Sequence, residues 1–137
     1  MIYSVDVRVT APVNGTEVTD RVADAVHDLF PEADVESRPG ELVGTCHGMG
    51  RFSERLHEQA ILDTARGQFF AGQDGNVFEF RLKKQAAFRG VVNFAVGDES
   101  ELGDIRVRVR VAEPSVEEYV DHVAPPTEDG QPVDRDR

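Results

Sequence analysis

Ile105-Arg106-Val107-Arg108-Val109-Arg110-Val111 is the stretch that decides the fold. Four β-branched residues alternate with three arginines, and a period of two puts the two sets on opposite faces of an extended chain. The segment therefore reads as a strand with one apolar and one charged face. Residues 2–10 repeat the pattern, with Tyr3, Val5, Val7 and Val9 against Ser4, Asp6, Arg8 and Thr10. Phe78, Phe80 and Leu82 alternate in the same way with Glu79, Arg81 and Lys83. Strands that are wet on one side only belong to an antiparallel sheet covered on the other.

The segments between these strands supply the cover. Pro12 and Asn14-Gly15 close the first strand, because proline removes a ladder donor and Asn-Gly favours a turn. Thr16 is placed to cap a helix whose Val18, Val22, Ala25, Val26 and Leu29 form a 3.6-residue stripe, with Glu17 and Asp20 near its positive end. Phe30-Pro31 ends it. Short strands are expected near Asp34–Ser37 and Glu41–His47, across the turn Arg38-Pro39-Gly40. The glycine-rich run Gly44–Gly50 then leads into a second helix from about Ser53, carrying Leu56, Ala60, Ile61 and Ala65. Asp74-Gly75-Asn76 is a tight turn. Val91–Val96 reads as a further strand and Asp98–Gly103 as a loop. Ser115 and Glu118 form a capping-box pattern for a last helix ending near Val123.

The order β-α-β-β-α-β-β-β-α predicts an α+β fold: a single, mostly antiparallel sheet with helices packed on one face, in two layers. Residues 1–123 make one domain. Residues 124–137, acidic and proline-rich, read as a loose tail. No internal repeat is present.

Composition agrees with one globular domain: 137 residues, 39% hydrophobic and 30% charged. No run approaches the roughly 18 apolar residues of a membrane span, so no membrane partner is expected. Met1–Asp6 has neither a basic start nor an apolar stretch, and the single cysteine, Cys46, leaves no intramolecular disulfide. The expected location is cytoplasmic. Charge is the anomaly: 26 acids face 15 bases, net −11, and the only lysines are Lys83 and Lys84. That balance is similar to a halophilic composition, in which salt screens self-repulsion. An arginine-preferring genome is the other explanation. Within the acidic chain, residues 81–112 carry 7 bases and 4 acids. A net-basic block of this kind points to an anionic partner.

Arg106, Arg108 and Arg110 share one strand face at roughly 6–7 Å intervals, close to the spacing of phosphates along a strand of nucleic acid. Arg81 and Lys83 have the wet parity of their own strand, and Lys84, Gln85 and Arg89 follow. If the two strands are neighbours, they offer a basic face able to track a backbone. The other arrangement pairs these arginines across strands with acids such as Asp6 and Glu79. Base stacking finds little support, since the chain has no tryptophan and Phe78, Phe80 and Phe94 have core parity.

Other candidates are sparser. Gly48, Gly50 and Arg51 precede a helix and could hold an anion, although no Walker or dinucleotide spacing is present; a flexible connection is the plainer reading. Cys46, His27, His47, His57 and His122 lack the paired spacing of metal ligands, so neither metal nor cofactor is expected. Asp63 and Arg66 are either an acid with its orienting base, an intrahelical ion pair or a packing anchor for the Gln85 segment. No nucleophile–base signature appears, so the chain does not read as an enzyme.

Gln59-Ala60-Ile61-Leu62-Asp63-Thr64-Ala65-Arg66, Leu82-Lys83-Lys84-Gln85-Ala86-Ala87-Phe88 and Val92-Asn93-Phe94 together resemble an archaeal family of conserved, uncharacterised (UPF) proteins. The likeness runs on through Glu99–Gly103 to Ala124-Pro125-Pro126-Thr127. Lys83 departs from the family pattern, which commonly has a polar uncharged residue there. The resemblance implies a fold like that of ribosomal protein L-five and an RNA-binding role. The expected function is a non-catalytic RNA-binding or ribonucleoprotein-associated domain, touching backbone phosphates through residues 81–89 and 106–110. The alternatives are a protein-interaction or homodimerisation module using the sheet, and an enzyme acting on a small anionic substrate through the 44–51 loop.

Overall fold

The computed structural model describes residues 2–97, 103–128 and 131–132. One six-stranded sheet forms the frame, built from β1 (Ser4–Pro12), β2 (Asp34–Arg38), β3 (Glu41–Cys46), β4 (Gln73–Asp74), β5 (Val77–Lys83) and β6 (Asp104–Glu113). Their order is β2-β3-β1-β6-β5-β4, and every neighbouring pair is antiparallel. The expected α+β architecture with one antiparallel sheet is therefore present.

Register explains how the alternating strands make a core. Val7 faces Val109, which faces Phe78; Val9 faces Val107, which faces Phe80. These rows stand on one face, where α1 (Thr19–Leu29), α2 (Gly50–Glu58), α3 (Leu62–Ala71) and α5 (Val116–Val123) cover them. Phe52 of α2 and Phe69 of α3, both fully buried, pack on Phe80 with ring centroids 5.5 and 4.9 Å apart. Aromatic pairs at these distances add to the burial of their area. α4 (Lys84–Ala87) is a single turn after β5.

Several local expectations are corrected. The helix expected from Ser53 is two helices, because Ala60 takes a left-handed φ of 56° and turns the chain between α2 and α3. α1 begins after Val18, with no side-chain cap; Glu17 instead accepts hydrogen bonds from the Asn14 backbone and side chain at 3.0 and 2.9 Å. Val91–Val96 makes only one bridge, Phe94 to Leu82, and is otherwise irregular. Its Val92 is held by Gln59, whose side chain exchanges two 2.8 Å bonds with the Val92 backbone. Ser115 does cap α5, accepting from Glu118 N–H at 3.1 Å. Beyond α5, β7 (Thr127–Glu128) pairs with β8 (Gln131–Pro132), and the Thr127 hydroxyl donates to Asp63 at 2.6 Å. The expected loop Asp98–Gly103 lies outside the described residues except at Gly103.

Candidate nucleic-acid interface

The sheet face away from the helices carries the charge. On β1, β6 and β5 its cross-strand rows are Asp6–Arg110–Val77, Arg8–Arg108–Glu79, Thr10–Arg106–Arg81 and Asp104–Lys83. These four rows hold six cations and three carboxylates in a protein of net charge −11. The strand alternation thus concentrates the basic block on one face, and antiparallel register sets arginine opposite arginine twice: Arg8 with Arg108, and Arg106 with Arg81. Directly opposed like charges are unfavourable in a sheet.

Carboxylates offset part of this. Arg108 reaches Glu79 at 3.0 Å and Arg110 reaches Asp6 at 2.7 Å. The hydrogen bond and charge of Arg110 hold the Asp6 carboxyl below its ordinary range, with His47 adding to the effect at 3.2 Å. Arg81 bonds the buried Asp104 at 3.0 Å and the Gly97 carbonyl at 2.5 Å. So the stripe is paired rather than bare. The members of the Arg108 and Arg110 pairs are all more than half exposed. Such pairs contribute about 0–1 kcal/mol each, so a phosphate can compete for the guanidinium at small cost. Arg8, Lys83, Gln85 and Arg89 are exposed, and none has a side-chain partner among the described residues.

Lys84 does not join this face. It continues the core parity of Phe78, Phe80 and Leu82, and its side chain is 1% exposed. Its ammonium donates to the Pro12 carbonyl at 2.5 Å and lies 2.9 Å from the Glu17 carboxylate. Burial pushes Glu17 up, but bonds from the Asn14 backbone, Lys84 and the Asn14 side chain outweigh it and hold the carboxyl below its ordinary value. Lys84 is a brace between β5, the end of β1 and the start of α1. It cannot contact a ligand on the sheet face.

The 48–51 candidates fare similarly. Gly48 and Gly50 flank Met49, the cap residue just before α2, while Arg51 bonds Glu54 at 2.7 Å and Glu58 at 3.3 Å. The adjoining hollow also contains Glu32 and the buried Cys46, whose thiol is pushed up by burial and by the Glu32 charge. That surround disfavours an anion. Asp63 and Arg66 do not pair with each other or with Gln85: Asp63 takes the Thr127 hydroxyl, and Arg66 bonds Asp121 and the Ala124 carbonyl at 2.7 and 2.9 Å. Among the described residues no group of three His, Cys, Asp or Glu side chains could hold a metal ion, and no helix is long and apolar enough to cross a membrane.

Arg8 is the member of the face that sequence reading passes over. Its wet parity is visible, but its place beside Arg108 depends on which strands are neighbours. Arg21 lies apart from this face, on α1, with its guanidinium 5.5 Å from the Phe88 ring centre.

No protein-family model matches the chain. It is 34% identical over 131 residues to a UPF0200/UPF0201 protein of Archaeoglobus fulgidus, covering 95% of this chain and spanning 40% of that protein. It is 41% identical over 139 residues to a UPF0201 protein of Methanopyrus kandleri, covering 90% of this chain and 87% of the other. The crystal structure of a UPF0201 protein from Methanococcus jannaschii superposes with a TM-score of 0.87 at 30% identity, over 94% of this chain and 99% of that one. By these matches the chain belongs to the archaeal UPF0201 family.

Proposed function

We propose that this chain is a non-catalytic RNA-binding domain that holds backbone phosphates on the open face of its sheet. The observation that carries the reading is the pair of adjacent rows in which arginines oppose arginines, Arg8–Arg108 and Arg106–Arg81. Four guanidinium groups gather on these neighbouring rows, and Arg108 is held by Glu79 in a half-exposed pair that a phosphate can join at small cost. Rows along a strand repeat at about 7 Å for same-face residues, which matches successive phosphates. Arginine supplies planar, multiple donors suited to phosphate oxygens. The absence of exposed aromatic side chains from these four rows favours recognition of backbone over bases. The RNA-binding role that the family resemblance implies points the same way.

Titration of fluorescein-labelled single- and double-stranded RNA, at several salt concentrations, tests the proposal. The expected result is binding that weakens with salt and is reduced in Arg8→Gln and Arg106→Gln, both on exposed positions. No binding by the folded protein at about 50 mM salt, where phosphate contacts are strongest, overturns it.

A further inference from the structure

One edge of the sheet is covered and the other is open. Beside β5, Glu79 N–H donates to the Gly72 carbonyl, Lys83 N–H to the Asn93 carbonyl, and Ala95 N–H to the Arg81 carbonyl. β2 forms the other edge. Its ladder with β3 starts at the pair Arg38–Glu41, across the Pro39-Gly40 turn with Gly40 at a φ of 77°. A turn of this kind hydrogen-bonds its flanking residues, so Arg38, Glu36 and Asp34 bond to β3. Antiparallel strands alternate their bonds between the two sides, which points the backbone groups of Val35 and Ser37 outward. Among the described residues, no backbone bond outside the ladders involves either one. β2 has no proline, lysine or bulge to blunt it. Charge is the guard that remains: Asp34, Glu36 and Arg38, all exposed, with opposite signs at the two ends.

We infer that this edge pairs with the same edge of a second copy, antiparallel about Glu36, as a weak homodimer. In that register Asp34 stands opposite Arg38 of the second copy at both ends, and Val35 opposite Ser37. Each Val35–Ser37 pair then exchanges two backbone hydrogen bonds. A slip of one residue would set an outward-facing group against one already bonded to β3. A slip of two would overlap only Glu36–Arg38, or only Asp34–Glu36 with carboxylates opposed. The full-length register is thus the one in which the end charges attract, so the guard fails against the chain's own copy. Glu36 meets its counterpart at the centre, where its own Arg38, 3.4 Å away, offsets the repulsion. A seam of five residues is small beside a stable dimer interface, which makes the association weak. A two-fold axis through Glu36, perpendicular to the sheet, turns both open faces to the same side.

The inference is independent of the RNA reading. Sedimentation velocity from about 10 µM to about 1 mM, at roughly 0.15 M salt, tests it. The samples are wild type, Asp34→Arg, Arg38→Asp and an equimolar mixture of the two variants, each checked for folding by circular dichroism. Wild type should dimerise with a Kd of roughly 100 µM. Asp34→Arg sets base against base at both ends and Arg38→Asp sets acid against acid, so each alone should associate about tenfold more weakly. The mixture restores acid opposite base at both ends, with the same total charge as the wild-type pair. It should form a heterodimer about as tight as the wild-type dimer. Both variants remain strongly acidic, so general attraction does not produce this rescue. Ser37→Pro, which deletes an outward N–H that the ladder does not use, should be monomeric as well. Wild type that is monomeric throughout overturns the inference and leaves the edge to a strand of another protein. Either charge variant dimerising as tightly as wild type, or a mixture no tighter than the variants alone, overturns it too.

Discussion

Replacing Lys84 by methionine should be among the most damaging single changes outside the aromatic core. Methionine keeps the length of the stem and removes only the ammonium. Glu17 then faces a site whose carboxylate is 8% exposed, and its Oε2 has no hydrogen-bond partner even in the intact protein. Removing one partner of a buried pair costs about 3–5 kcal/mol, because the other charge stays behind without compensation. Glu17 keeps its bonds from Asn14, so the lower end applies, about 3 kcal/mol. For a chain of this length that lowers Tm by roughly 10 °C. The pH dependence gives the cause. Glu17 is held below its ordinary 4.5 in the folded protein, so its pairing contributes fully above that value and is lost as pH falls through the folded pKa. The gap between wild type and Lys84→Met should therefore be full at pH 7 and narrow as pH drops below about 4.5, where a protonated Glu17 no longer needs the ammonium. The double variant Lys84→Met with Glu17→Leu should recover most of the loss. Thermal melts of the three proteins from pH 7 to pH 3.5 decide it. Equal Tm for wild type and Lys84→Met at pH 7 would refute the brace.

Three other perturbations follow from the packing and the charge rows. Phe80→Ala should cost about 3–5 kcal/mol by urea denaturation, since the ring packs on Phe52, Phe69 and Phe94. Gly72→Ala should lower Tm by several degrees, because a Cβ there would stand 1.9 Å from the Glu79 carbonyl oxygen and the backbone must move. Changing Arg106, Arg108 and Arg110 together to Gln should lower Tm at low salt, where Asp6 and Glu79 lose their partners, and much less at about 1 M salt, where the Debye length is near 3 Å. A mutant as stable as wild type at low salt would mean the pairs contribute nothing.

Much of this frame could be read from alternation. The parity of Val5, Val7 and Val9, of Phe78, Phe80 and Leu82, and of Ile105 through Val111 placed each residue on its correct face, because period two has only two outcomes. The turn at Gly75, with φ of 63°, was equally legible. What failed lacked a local signal. The chain between α2 and α3 breaks at an alanine, with neither glycine nor proline to mark it, and Leu56, Ala60, Ile61 and Ala65 sit at helical spacing across the break. Val91–Val96 has strand composition, but Gln59 satisfies Val92 in place of a ladder. Lys84 carried a signal that charge obscured: it sits two residues after Leu82, on the buried parity. The interface depended on neighbours. Which arginines oppose one another, and which acids reach them, follows from β1 pairing with β6, and no residue pattern within either strand encodes that choice.

The most direct test of the sheet-face claim is a map of amide chemical shifts across the protein as unlabelled RNA is added. The account predicts shifts concentrated at Arg8, Arg81, Arg106 and Arg108 and their strand neighbours, with the solvent side of α1, α2 and α5 unmoved. Saturable binding whose shifts fall on those helices instead, with the two arginine rows silent, would contradict it.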